Sequence, residues 1–127
     1  MEGDDRDGSK TRDWKVENPD PERIARSITT LDGARFTEIS VTEDEPFRYL
    51  SVAGGPDFYL VTGESANGEI LQLREPDAGS EQIQLVCGGQ MGFFERSSLV
   101  ARGQAIGAVL EFLRGCPDGF GDAWSID

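Results

Sequence analysis

Five short segments in the middle of the sequence constrain the fold most strongly, because only turn-length connections separate them. The segments are Phe36–Val41, Phe47–Val52, Phe58–Thr62, Glu69–Arg74 and Gln82–Cys87. The connections read TEDEP, AGGPD, GESANG and EPDAGSE, and they are rich in residues that favour turns. Parallel neighbours need a crossover of about a dozen residues or more, so these connections favour antiparallel pairing. The sequence therefore predicts an antiparallel meander of about five or six strands, in which Trp14-Lys15-Val16 adds a short edge strand.

Two helices are predicted to flank the strands. Asp20-Pro21-Glu22 places a capping carboxylate, a first-turn proline and an early acid in succession, and Asp32-Gly33 ends the helix that follows. The second helix is predicted from about Leu99 to Arg114, with Ser97 or Ser98 as its cap and a broad apolar stripe along one side. The predicted fold class is therefore α+β, with the meander packed against an N-terminal and a C-terminal helix.

The length of 127 residues fits a single domain. Residues 1–12 are charged, contain Gly and Ser and show no periodicity, so they are predicted to form a disordered acidic tail. Residues 13–127 are predicted to form the α+β domain.

Three residues of the second helix depart from a simple amphipathic pattern. Gly103 and Gly107 lie inside it, where each costs up to about 1 kcal/mol relative to alanine. Close approach of another backbone could offset that cost, and simple tolerance by a well-packed helix is the plainer explanation. Arg102 projects toward the apolar stripe, and we expect its charged end to reach solvent rather than a buried carboxylate.

The net charge of -12 results from 24 acidic against 12 basic residues. Such a surface repels nucleic acid and anionic lipid and attracts basic partners, although it could also serve solubility alone. The first residues lack the apolar segment of a secretory signal, and the apolar stretch Ala105–Leu110 is far shorter than the roughly 20 residues of a membrane span. Cys87 and Cys116 show no metal-ligand spacing. A cytoplasmic location is predicted.

The sequence contains no histidine, which removes Ser-His and Cys-His nucleophile pairs and the commonest general base. Gly54-Gly55 lacks the following helix of a phosphate-binding loop. Two carboxylates around a cleft could still support a hydrolase, which stays as an alternative. The prediction is a binding protein that is not an enzyme, without catalytic residues, cofactor or metal.

Two groups of residues are candidates for partner binding. The acidic turn Thr42–Pro46 lacks the ligand spacing of a calcium loop, and it either is a solvated loop or presents Glu43, Asp44 and Glu45 to a basic groove. Aromatic residues would supply anchors wherever they are exposed on one face of the sheet. These aromatic candidates are Tyr49, Phe58, Tyr59 and Phe93.

A further set of residues follows a recognisable order along the chain. The set comprises Trp14, Val16 and Pro19, then Leu31-Asp32, then Val86-Cys87-Gly88-Gly89-Gln90, then Ala105, Ala108 and Phe112, and finally Gly115, Pro117 and Trp124. This layout, which spans most of residues 14–126, resembles Imm family one. These are immunity proteins encoded beside bacterial polymorphic toxins, usually toxins of the deaminase superfamily.

The resemblance implies an α+β immunity protein that neutralises a cognate toxin by binding it. The leading hypothesis is that it blocks the active site or substrate groove of the toxin without covalent chemistry, and the acidic surface indicates a basic toxin. The resemblance does not identify the residues that contact the toxin, and we expect the signature residues to have structural roles. These are Trp14, Gly88, Gly89, Gln90, Phe112, Gly115 and Trp124. The alternative hypothesis is an acidic nucleic-acid mimic or adaptor domain that regulates a DNA- or RNA-binding protein.

Overall fold

The computed structural model describes residues 1–7, 10–44, 47–65, 68–113 and 124–126. Its strands are β1 (Glu2–Asp7), β2 (Lys10–Lys15), β3 (Glu38–Asp44), β4 (Phe47–Gly54), β5 (Tyr59–Glu64), β6 (Ile70–Leu73), β7 (Gln82–Cys87), β8 (Gln90–Glu95) and β9 (Trp124–Ile126). Its α-helices are α1 (Pro21–Thr29) and α2 (Arg102–Leu113), and short 3₁₀ turns lie at Pro76–Ala78 and Arg96–Ser98. The fold class is α+β, as predicted.

The main sheet has the strand order β2-β1-β3-β4-β5-β6-β9 and is antiparallel throughout. The predicted meander is confirmed for β3 to β6. Alternation along these strands sends one set of apolar side chains to a single face, which α1 and α2 cover. This helix-covered face holds Ile39, Val41, Leu50, Val52 and Val61, all buried. The opposite side is the outer face.

Helix α1 begins as predicted, because the Asp20 side chain accepts a hydrogen bond from the Arg23 backbone N–H at 2.7 Å. Ile24 and Ile28 on its inner side are buried. The helix ends at Thr29, before the predicted Asp32-Gly33.

Helix α2 begins at Arg102, three residues later than predicted from Leu99. Leu99 and Val100 are extended and fully buried instead, and Val100 exchanges two backbone hydrogen bonds of 2.9 Å with Tyr59. The predicted caps Ser97 and Ser98 lie in a 3₁₀ turn. The Gln104 side chain accepts from the Ala101 N–H at 2.9 Å, which satisfies a donor at the true start of the helix.

The prediction of a disordered tail at residues 1–12 is wrong. Strands β1 and β2 form an antiparallel hairpin whose first strand also pairs with β3. Charge suggested disorder, but the acids of β1 have partners: Asp4 binds Thr37, and Asp5 binds Arg35 at 2.6 Å. Local composition does not reveal these compensating contacts, which come from residues about 30 positions away.

The strand Gln82–Cys87 was predicted as part of the meander, and this placement is wrong. It pairs with the unpredicted strand β8 in a separate two-stranded sheet, the β7–β8 hairpin. Gly88 and Gly89 form its turn with φ angles of 59° and 80°, which glycine adopts without steric cost. A second unpredicted strand, β9, pairs with β6 at the far edge of the main sheet.

Candidate partner-binding surfaces

The turn of the β7–β8 hairpin is fixed to the outer face of the main sheet. The Gly88 carbonyl accepts a hydrogen bond from Arg6 Nη2 at 2.9 Å, and the Gly89 N–H donates to Thr37 Oγ1 at 3.0 Å. A Cβ at Gly88 would lie 2.6 Å from the Glu38 carboxylate and one at Gly89 would overlap the Arg6 guanidinium, so either side chain would displace a neighbouring charged group. The two glycines therefore allow both the turn and the close approach.

The Asp4 carboxylate binds Arg6 and Thr37, the two residues that hold the hairpin turn. Asp4 is only 7% exposed, and its side chain accepts hydrogen bonds from the backbone N–H groups of Thr37 (2.7 Å) and Glu38 (3.0 Å), from the Thr37 hydroxyl and from Arg6 Nε (2.7 Å). Burial alone would raise the pKa of Asp4, but these hydrogen bonds outweigh it and hold the pKa below its ordinary value. We call Asp4, Arg6, Thr37, Gly88 and Gly89 the Asp4 network.

The base of the hairpin is fixed by Arg96. Its Nη2 lies 2.7 Å from Glu75 Oε2, and its Nη1 donates to the Leu99 carbonyl at 2.9 Å. The guanidinium also stands over the Phe58 ring, 4.4 Å from the ring centroid. The Arg96 N–H donates to the Glu81 carbonyl at 2.8 Å and closes the two strands. The hairpin is thus held at both ends.

Between these two anchors the hairpin presents an apolar surface to solvent. Met91 and Phe93 are 60% and 64% exposed, more than any other large apolar side chain among the described residues. They project from β8 on the side opposite Leu85, which is buried against the main sheet near Gly54. Glu81 and Glu95 are exposed at the base of the same hairpin. An exposed apolar pair beside carboxylates is typical of a protein-binding surface. Met91 was not among the predicted contacts.

The uncovered part of the outer face forms a second candidate surface, which we call the open sheet face and define by Asp44, Phe47, Tyr49, Glu64 and Ile70. Phe47 is 55% exposed, and its ring centroid lies 6.1 Å from that of the partly buried Tyr49. Cross-strand pairing places Asp44 opposite Phe47 and Glu64 opposite Tyr49 and Ile70. Tyr49 and Asp44 therefore lie together on this face.

The predicted acidic turn does not form as a unit. Strand β3 continues to Asp44, so alternation sends Glu43 to the helix-covered face and Asp44 to the outer face. Glu43 Oε2 lies 2.9 Å from Arg48 Nη2, and this ion pair neutralises its charge. Asp44 is exposed, and Glu45 lies outside the described residues. The expectation that Glu43, Asp44 and Glu45 face a partner together is wrong for Glu43.

Two predicted aromatic contacts belong to the interior. Tyr59 has 0% exposure, and its hydroxyl donates to the Pro56 carbonyl at 3.1 Å and accepts from Arg102 Nε at 3.1 Å. It is a core residue and no surface anchor. Phe58 is partly buried beneath Arg96. Arg102 itself is exposed, as expected.

Trp14, Phe112 and the two turn glycines Gly88 and Gly89 occupy structural positions among the signature residues. Trp14 packs against the core and against Gly3, and Phe112 is buried with the Arg48 guanidinium 4.4 Å from its ring centroid. Gln90 follows the hairpin turn and is exposed. Gly115 lies outside the described residues, and Trp124 begins β9 opposite Leu73.

An acidic cavity of about 250 Å³ adjoins the Asp4 network. Its charged lining residues are Glu2, Asp4, Arg6, Asp13 and Glu38. Among the described residues, no three His, Cys, Asp or Glu side chains are grouped so as to hold a metal ion.

Burial, with a smaller contribution from Glu38, raises the pKa of the nearby Cys87 thiol to about 11. This thiol is therefore protonated at neutral pH and a weak nucleophile.

Neither helix in the described part of the chain is long and apolar enough to cross a membrane. No protein-family model, no curated protein and no solved structure matches the chain significantly.

Proposed function

We propose that the protein is an immunity protein that binds a basic bacterial toxin and blocks its active site or substrate groove, without catalysing a reaction. The observation that carries the proposal is the exposed apolar pair Met91 and Phe93 on a hairpin held at both ends. The resemblance of the sequence to Imm family one supplies the class of partner. Cytoplasmic action against the toxin is part of the same proposal.

Rigidity of the hairpin favours tight binding. The Asp4 network fixes its turn and Arg96 fixes its base, so little backbone freedom remains to be lost when a partner docks. Large apolar side chains at the centre of an interface contribute most of the binding free energy, often at least 2 kcal/mol each. Phe93 and Met91 are therefore the proposed anchors.

The acidic surface of the chain indicates that the partner is basic. The chain carries a net charge of -12, and the exposed carboxylates Asp44, Glu81 and Glu95 lie on the two candidate surfaces. Long-range attraction of this kind accelerates encounter with a basic protein and weakens with added salt. A basic, groove-bearing toxin satisfies both the charge and the apolar anchors.

Co-expression with the product of the adjacent toxin gene tests the function. We expect the chain to rescue cells from the toxin and to co-purify with it. Phe93→Ala should weaken the complex at least about 30-fold, as loss of an interface anchor does. Failure of the wild-type chain both to protect cells and to bind the toxin would overturn the proposal.

Phe47→Ala is the matched control for the surface. Phe47 is similarly exposed, at 55%, but lies on the open sheet face. If Phe47→Ala weakens the complex and Phe93→Ala does not, the function stands and the open sheet face is the interface.

A further inference from the structure

A recess of about 390 Å³ lies where α1 meets the N-terminal hairpin, away from the β7–β8 hairpin. We call it the α1 recess. Its lining residues are Asp5, Trp14, Arg23, Arg26, Ser27, Thr30 and Phe36. The volume falls within the range of about 300 to 1,000 Å³ that small-molecule sites occupy.

Aromatic side chains supply the apolar surface of the recess. Trp14 and Phe36 are partly buried and pack against the core. Trp14 is further fixed by Gly3, where a Cβ would lie 2.5 Å from the indole ring. Phe36 has the Arg35 guanidinium 5.3 Å from its ring centroid. Both rings are therefore held in place and suit contact with another planar ring.

The cations of the recess come from one side of α1, since Arg23 and Arg26 are three residues apart. The exposed pair Arg26–Glu22 is long at 3.3 Å, and Asp5 is already bound by Arg35 at 2.6 Å. Arg23 forms no ion pair with any described residue. The Arg23 charge is therefore uncompensated among the described residues, while the Arg26 charge is shared with an exposed and weakly held Glu22.

Ser27 gives the independent indication of a ligand. It lines the recess and is only 7% exposed, yet its hydroxyl forms no hydrogen bond with the described residues. The hydroxyl is not among the fully buried polar atoms of the described residues, so it is accessible from the recess and can donate a hydrogen bond to a ligand there. The neighbouring Thr30 hydroxyl donates to the Ser27 carbonyl at 2.7 Å and can still accept.

We propose that the α1 recess binds a small planar anion, an aromatic ring or nucleobase that carries a phosphate or carboxylate. The ring contacts Trp14 and Phe36, the anionic group binds Arg23 and Arg26, and the Ser27 hydroxyl donates a hydrogen bond to the ligand. Guanidinium groups suit both anions, because they bind two oxygens at once. This site is independent of toxin binding.

Titration followed by NMR at the Trp14 indole N–H tests the site. The probes are adenosine 5′-monophosphate and indole-3-carboxylate, and the controls are adenosine and inorganic phosphate. We expect at least one probe to bind about tenfold more tightly than either control, since only the probes join ring and charge. The stronger probe identifies the anion as phosphate or carboxylate. Equal binding of inorganic phosphate, or no saturable shift with either probe up to about 10 mM, would overturn the proposal.

Variants locate the binding. Arg23→Gln combined with Arg26→Gln should weaken the better probe about tenfold or more. Ser27→Ala should weaken it about threefold without lowering thermal stability, because the hydroxyl has no partner within the described structure. Lys15→Gln removes one positive charge on the side of β2 opposite Trp14 and should leave binding unchanged. Probe binding that the double arginine variant and Ser27→Ala both leave intact would place the ligand elsewhere and refute the assignment.

Discussion

At the scale of single residues, Asp4 carries an unusual share of the fold. It joins β1 to the segment before β3 and, through Arg6 and Thr37, to the hairpin turn. Its pKa is lowered in the folded state, so the folded protein holds the proton less tightly than the unfolded chain. The resulting stabilisation is complete above the unfolded pKa of about 4 and is lost as pH falls through the lower folded pKa.

Asp4→Asn should lower the free energy of unfolding at pH 7 by roughly 2 to 3 kcal/mol, because a neutral amide replaces the acceptor of several hydrogen bonds. The variant should also lose less stability than the wild type between about pH 5 and pH 2. Urea unfolding at a series of pH values measures both effects. Asp13→Asn, at the exposed position opposite Asp4, is the control and should change stability by less than about 0.5 kcal/mol. Equal stability of Asp4→Asn and the wild type at pH 7 would contradict this account.

The reactivity of the Cys87 thiol gives a second test at the scale of single residues. Burial first, and then the charge of Glu38, raise its pKa from about 9 to about 11. In a Cys116→Ser background, the rate of alkylation by iodoacetamide should therefore keep rising to about pH 11. Glu38→Gln should move the curve to lower pH because it removes the smaller cause. A rate that levels off below pH 9 would show that the thiol is not shielded.

At the scale of elements, local signals and tertiary contacts divide the predictable from the unpredictable. Strands β3 to β6 and helix α1 follow from alternation, turn-length connections and capping, which are properties of neighbouring residues. The β1–β2 hairpin was missed because Asp4 and Asp5 find partners far along the chain. Strand β8 could have been found: Gly88-Gly89 between QIQLVC and QMGFFE is a two-residue hairpin signal.

The difference between local signals and tertiary contacts also explains which predicted partner-binding residues are exposed. Tyr49 is partly buried on the open sheet face and Tyr59 is fully buried, although both tyrosines lie in apolar strand segments of similar sequence. The burial of Tyr59 results from pairing with Val100, which the sequence alone does not reveal. Exposure of Met91 depends on how the β7–β8 hairpin packs, and this is a tertiary property as well.

The glycines of α2 give a test at the scale of elements. Gly103 and Gly107 face open space, since a Cβ at either would meet nothing within 4 Å among the described residues. No backbone of the described residues therefore approaches them closely. Each change to alanine should raise the free energy of unfolding by up to about 1 kcal/mol, or about 4 °C in Tm. Gly89→Ala is the contrasting variant and should destabilise, because of its φ of 80° and its contact with Arg6. A lower Tm for Gly107→Ala would indicate a packing role.

At the scale of the whole molecule, net charge opposes the tendency of the β7–β8 hairpin to associate. In the described structure β7 and β8 pair only with each other, so each has a free edge beside the exposed Met91 and Phe93. Two copies that approach through this surface each carry a charge of -12, and their repulsion favours the monomer at pH 7 and low salt. The same charge favours a basic partner on the same surface.

Reducing the repulsion should therefore expose the tendency of the hairpin to self-associate. At pH 5 the net negative charge is smaller than at pH 7, because the pH approaches the sequence isoelectric point of 4.3. Salt at about 0.5 M screens the charge that remains. Under these conditions we expect light scattering to show dimers or larger species, while circular dichroism shows that the protein stays folded. Phe93→Gln should reduce association strongly, because it removes the most exposed apolar side chain of the hairpin. Ile70→Gln makes a comparable change at a 50% exposed position of β6 and should reduce it little. If the two variants associate alike, self-association proceeds through another surface, and the hairpin is less adhesive than its exposed residues imply.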